Sequence, residues 1–163
     1  MRQLTATRFQ RGLTLVELMV AFSIGALLLV AAAPSLRDYT VNSKLRESGN
    51  TLYTETLMAQ SEAIKRNRNV QVSVNGSTIT VADVTVPASP VTLRTRSMAD
   101  GVSAAATGSV TFGSQGWTTN LTAVSINLAS STVTCSADNR CPGLRVEAGG
   151  SIKLCGDHLN TCP

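Results

Sequence analysis

The sequence predicts an α+β chain, with one long helix first and an antiparallel sheet of short strands after it. Three observations carry this. Residues 13–36 are apolar almost without interruption and run on into a polar stretch rich in helix formers. At Val70 the hydrophobic period changes to two, and turn signals such as Asn75-Gly76 and Asp100-Gly101 punctuate the rest of the chain. The composition, 43% hydrophobic but only 4% aromatic, suits thin sheets with polar outer faces better than a deep catalytic cleft.

Residues 1–12 read as a leader. Arg2, Arg8 and Arg11 precede Gly12, and flanking cations keep that end of a membrane span cytoplasmic. Residues 13–36 are long enough to cross a bilayer, which takes about 20 mostly apolar residues. An ordinary secretory signal has a small-residue cleavage site after its apolar run. Here Pro34-Ser35-Leu36-Arg37-Asp38 stands there instead, and the small residue at a charged-to-apolar boundary is Gly12, before the run. A cut at Gly12 leaves the apolar helix on the mature chain as an anchor. The one charge in the helix, Glu17, would cost roughly 2.5–3.5 kcal/mol near a bilayer centre and so calls for a partner. A free α-amino group on Leu13 would supply one.

Thr14 is placed to cap the helix, and Pro34 to bend it. Residues 37–68 continue the helix in amphipathic form, with Leu45, Leu52, Leu57 and Ile64 as an apolar stripe beside Tyr53, Ala59 and Ala63. Gly49-Asn50 is a second weak point. Lys65, Arg66 and Arg68 complement the negative end of the helix dipole, a reading that stands beside ligand binding for the same cluster.

Residues 69–163 form the β-rich part, with about seven short strands. Residues 70–74 and 78–86 make a hairpin around Asn75-Gly76. Residues 91–96 form a strand with Arg94 and Arg96 on one face. Residues 110–112, 123–128 and 132–135 come next, and residues 144–147 and 151–155 close as a last hairpin. Cys135, Cys141, Cys155 and Cys162 all lie near the C-terminus. An even number in an exported domain reads as disulfides; three connectivities are open, with short loops favouring Cys135–Cys141 and Cys155–Cys162. A zinc site is the rival, but five and six intervening residues fit its usual spacings poorly.

Charge and motifs narrow the function. The formal charge of +4 includes three leader arginines among 14 basic residues, which leaves 11 against 10 acidic ones, a net of +1, after Gly12. No nucleophile elbow, phosphate loop or metal motif is present, and the single histidine, His158, sits in the cysteine-bounded tail. The expectation is a protein that is not an enzyme and needs no cofactor or metal.

Gly12-Leu13-Thr14-Leu15-Val16-Glu17, after a short basic leader and before a long apolar helix, resembles the signal of type IV pilins and type II secretion pseudopilins. The resemblance implies a pilin-like fold, cleavage between Gly12 and Leu13 by a prepilin peptidase, and N-methylation of Leu13. It implies that Glu17 pairs with the terminal amine of a neighbouring subunit during assembly, and that Pro34 is the helix kink. Residues 59–66, with Val70-Gln71-Val72 and the element Val110-Thr111-Phe112 followed by Gly116, are similar to GspH/FimT-type proteins.

That family implies a minor pilin that helps initiate a type IV pilus and sits at or near its tip, or alternatively an H-type pseudopilin of type II secretion. The implied partners are other pilins or pseudopilins, the prepilin peptidase and the inner membrane, with the C-terminal domain in the periplasm. FimT-like pilins that bind double-stranded DNA during uptake carry a G-R-x-R pattern. Here the corresponding stretch is Gly150-Ser151-Ile152-Lys153, so the carry-over reaches Lys153 alone, with Arg140 and Arg145 as supplements.

Overall fold

The structure is a computed structural model that describes residues 14–160 and 162, the side chains of residues 33 and 34 excepted. Gly12 and Leu13 lie outside the described residues, as does the ring of Pro34. The chain divides into two units, residues 1–37 and 38–163.

Helix α1, Leu15–Arg66, begins at Thr14, whose Oγ1 accepts the Glu17 amide (3.2 Å) while its carbonyl accepts that of Leu18. Thr-x-x-Glu places the acid in the first turn, where the helix dipole favours it. In the first unit, Leu15–Ala32 has a mean hydropathy of 2.4 and none of it is buried. The helical backbone continues without interruption through Pro34 and through Gly49-Asn50.

Gly49 is no weak point but a place of close approach. A Cβ there would come within 2.9 Å of Cγ of Pro142. Overpacking costs about 1–3 kcal/mol, more than the roughly 1 kcal/mol that alanine gains over glycine inside a helix. Gly49→Ala should therefore lower stability by about 1 kcal/mol, read as a drop in the thermal midpoint by circular dichroism. A raised midpoint would show that the proline ring gives way.

The buried face of α1 differs from the expected stripe. Leu45, Leu52, Ala59 and Ala63 are fully buried, but Leu57 and Ile64 are largely exposed. Ser48, Glu55 and Thr56 occupy the buried face instead. Each small polar group has an answer. Ser48 Oγ accepts the Ala99 amide (3.1 Å), and Thr56 Oγ1 donates to the Leu52 carbonyl (2.8 Å). A periodicity count that admits only apolar residues slips off this face.

The helix ends at Asn67, in the left-handed region at φ 54°, with the Arg68 amide bonded to the Ala63 carbonyl (3.1 Å). Two antiparallel sheets come after it. β1 (Val70–Asn75), β2 (Thr78–Asp83), β3 (Val91–Ser97) and β5 (Gly108–Phe112) form one, in the order β3-β2-β1-β5. β4 (Val102–Ala104), β6 (Val124–Ser130), β7 (Gly143–Val146) and β8 (Ile152–Cys155) form the other, in the order β4-β6-β7-β8. The core joins the buried face of α1 to Val70, Val72, Val74, Ile79, Val81, Val110 and Phe112 of the first sheet and to Ile126, Leu128, Leu144 and Val146 of the second.

Three strand expectations need correction. β2 stops at Asp83 rather than residue 86, because the Asp83 carboxylate turns back to accept the Thr85 amide (3.0 Å) and hydroxyl (2.7 Å). Residues 132–135 are not a strand. Ser130 Oγ takes the Thr132 amide (3.2 Å), a side-chain bond that competes with the ladder. β4 was not expected, since three residues with a single large apolar side chain carry no period.

Candidate functional site

Three groups of residues carry the functional expectations. The first is the N-terminal helix. Glu17 is exposed on α1, two residues into the helix, and is the only charged residue of the apolar span. Its expected partner, the Leu13 amine, lies outside the described residues.

The second is the C-terminal half of the β-rich unit. Cys135–Cys141 and Cys155–Cys162 are bonded, with Cα atoms 5.6 and 5.4 Å apart, so the short-loop pairing holds among the three that the sequence left open. Closing a short loop stabilises by lowering the freedom of the unfolded chain, here for two segments that carry little regular structure. His158 donates from its amide (2.7 Å) and from ring Nδ1 (3.0 Å) to the Cys141 carbonyl, which ties the tail to the first disulfide.

Arg145 and Lys153 stand opposite each other in the β7–β8 register. Leu144 and Val146 of β7 face the core, so Arg145 lies on the outer face of the second sheet. Both cations have intramolecular partners. Arg145 Nη1 donates to Asn127 Oδ1 (2.7 Å), and Lys153 Nζ lies 3.8 Å from Glu147 Oε1. Arg140 is not part of this pair. It sits in the Cys135–Cys141 loop, where its amide donates to Asn42 Oδ1 (3.2 Å), and it lines a groove with Asn42, Arg46 and Asp138.

The third group is the cation cluster at the helix end, and its cations are paired within the chain. Lys65 and Arg66 both pair with Glu62 one turn back. Arg68 Nη1 reaches Asp83 Oδ2 (3.3 Å). The hydroxyl of Thr85, then its amide, holds the Asp83 carboxyl below the usual carboxylate range; burial opposes this, and Arg68 adds to it. A value lowered by folding supplies stability that is complete above the unfolded value, about 3.9, and is lost as pH falls through the folded one. Asp83→Asn should therefore flatten the acid limb of a stability curve measured from neutral pH down through about pH 2. An unchanged slope would remove Asp83 from the account of acid lability.

One constellation escaped the sequence reading. Gln60 Nε2 donates to the Gly116 and Gly150 carbonyls, both at 2.7 Å, so one helix amide ties together two loops of the β-rich unit. Both glycines have φ near +80° (80° and 83°), which explains their identity there. The other missed group is Glu55, with side chain 6% exposed, beside Arg94 and Arg96. Its signal was a carboxylate three residues after Leu52 and four before Ala59, on the buried face. Among the described residues no His, Cys, Asp and Glu cluster could hold a metal ion.

The family model described as type II transport protein GspH matches residues 48–150. A second, the prokaryotic N-terminal methylation motif, matches residues 7–33. Among solved structures, the type IV minor pilin FimU of Pseudomonas aeruginosa PAO1 has a TM-score of 0.57 at 19% identity, covering 71% of this chain and 91% of its own. The minor pseudopilin EpsH of the type II secretion system of Vibrio cholerae has a TM-score of 0.57 at 12% identity, covering 72% and 96%. At such identities the likeness bears on the fold, which is the α+β pilin-like fold in both cases. No curated protein matches the chain.

Proposed function

The chain belongs to the GspH family, within the minor pilins and pseudopilins of the type IV pilin superfamily, and we propose that it is a FimT-like minor pilin that helps initiate a type IV pilus and sits at or near its tip. The observation that carries this is the exposed apolar helix Leu15–Ala32 with one acid in its first turn. A prepilin peptidase cuts between Gly12 and Leu13, and Leu13 is methylated. The helix anchors the subunit in the inner membrane, with the β-rich unit in the periplasm, where disulfides form. On assembly the helix enters the filament core, and Glu17 neutralises the amine of a neighbour. The role is structural and needs no catalysis; His158 is engaged with the Cys141 carbonyl.

The alternative is an H-type pseudopilin of type II secretion, since the family description and the EpsH fold speak for that branch as readily. Crosslinking in intact cells, followed by purification of this chain and mass spectrometry of its neighbours, separates the two. Type IV pilus subunits are expected. Secretion pseudopilins as neighbours would overturn the pilus assignment in favour of the alternative.

A second activity, binding of double-stranded DNA, is favoured by the placement of Arg145 opposite Lys153. Phosphate contacts make such binding salt-dependent and indifferent to sequence. Reversing both charges should weaken retention of a duplex by at least about tenfold at low salt. Unchanged retention would exclude this face, and Arg140 would then be the remaining candidate.

A further inference from the structure

We propose that the groove between α1 and β3 is the docking site for a carboxylate-bearing peptide segment of a neighbouring filament subunit. This rests on the reading of the chain as a filament subunit and specifies where one contact is made.

β3 is an edge strand of its sheet. Arg94 and Arg96 pair with Val81 and Ile79 of β2, both buried, so the two arginines stand on the face turned toward the helix. There they meet Glu55. Glu55 Oε1 lies 3.3 Å from Arg94 Nε and 3.5 Å from Arg96 Nε. Its other oxygen, Oε2, is buried and has no hydrogen-bond partner among the described residues. Burying a carboxylate is costly, and the two cations on Oε1 offset that cost.

Glu55 draws both guanidiniums to one side of the groove through their Nε atoms. Arg94 spends Nη1 on Met58 Sδ (2.8 Å). Arg94 and Arg96 remain 34% and 53% exposed and line the groove. Arg46, on the opposite wall, is exposed and has no hydrogen bond or ion pair among the described residues. Two arginines gathered by one carboxylate, with Arg46 facing them, make a cationic groove suited to a carboxylate, the planar group that guanidinium binds bidentately.

Charge selects the occupant. Arg46, Arg94 and Arg96 face Glu47 and Glu55 in the same groove, an excess of one positive charge. One carboxylate balances that excess, whereas a run of phosphates would meet two acids. Inward-pointing arginines also spoil the edge for indiscriminate strand pairing. The edge is left open to a segment that brings the matching charge.

The test uses the full chain in cells that assemble the filament. Thr54→p-benzoylphenylalanine places a photo-crosslinker in the groove, and Phe22→p-benzoylphenylalanine places one on the apolar helix as a report of incorporation. The expected result is an adduct at position 54 to a segment of another filament subunit that contains Asp or Glu. Arg46→Glu should lower its yield by about tenfold, the weight of one charged hydrogen bond, and leave the position 22 adduct unchanged. Arg46 makes no hydrogen bond or ion pair among the described residues, and the position 22 adduct reports whether the reversed chain still folds and assembles. Adducts at position 22 but not 54, or a position 54 adduct indifferent to Arg46→Glu, would overturn the groove assignment alone. Nucleic acid at position 54 would make it a phosphate site and overturn the peptide occupant. Loss of adducts at both positions would overturn the filament reading, and the groove with it.

Discussion

Glu17→Ala should leave the chain inserted in the membrane and cut its incorporation into filaments by at least about a hundredfold, since breaking a buried ion pair costs roughly 3–5 kcal/mol. The apolar span Leu15–Ala32 does not depend on this residue for its hydropathy, so insertion survives. The variant lacks the partner for a neighbour's terminal amine. In a filament core both charges leave water together, and an amine left alone there bears the whole desolvation penalty. Fractionation should find the variant in the membrane, and immunoblotting of sheared filaments should fail to find it. Glu17→Gln separates charge from shape and should behave like alanine. Normal incorporation of either variant would reject the proposed pair.

Phe112→Ala should destabilise the β-rich unit by about 3–5 kcal/mol. Phe112 is the largest of the fully buried side chains and sits at the end of β5, paired to Val70 of β1 and bridged to Thr118. Removing it loses the transfer term for an aromatic ring and leaves a cavity in the core cluster to which both sheets and the helix contribute. A domain of ordinary stability has about 5–15 kcal/mol in all, so this one change takes a large share. Urea unfolding followed by circular dichroism reads the effect. A cost below about 1 kcal/mol would mean that the core collapses into the space.

Much of the fold is written in short-range signals. The helix start at Thr14, the switch of period at Val70 and the Asn75-Gly76 turn each declare themselves within a few residues. The helix face was harder to read, because Ser48, Glu55 and Thr56 are buried for reasons that lie far along the chain: the Ala99 amide and the arginines of β3. Such partners have no local trace. The same holds for Gly49, which looks like a flaw in a helix until Pro142 is brought against it. The site shows a similar split. Arg145 and Lys153 could be paired from the spacing of a hairpin, but Arg140 could not be excluded from their company, since a disulfide loop has no period that says where it points.

The Gln60 amide has a consequence for the order of events during folding. Its two acceptors belong to residues 56 and 90 positions further along the chain. Contacts of that separation form late, after the entropy of closing large loops has been overcome. The helix that carries Gln60 leaves the ribosome long before either glycine does. Until Gly150 has been made, the seam between the loops stays open, and a chain halted short of that point never closes it. A helix made first and fastened to loops made much later thus distinguishes a finished copy from a partial one. Only the finished copy has both loops held to the helix.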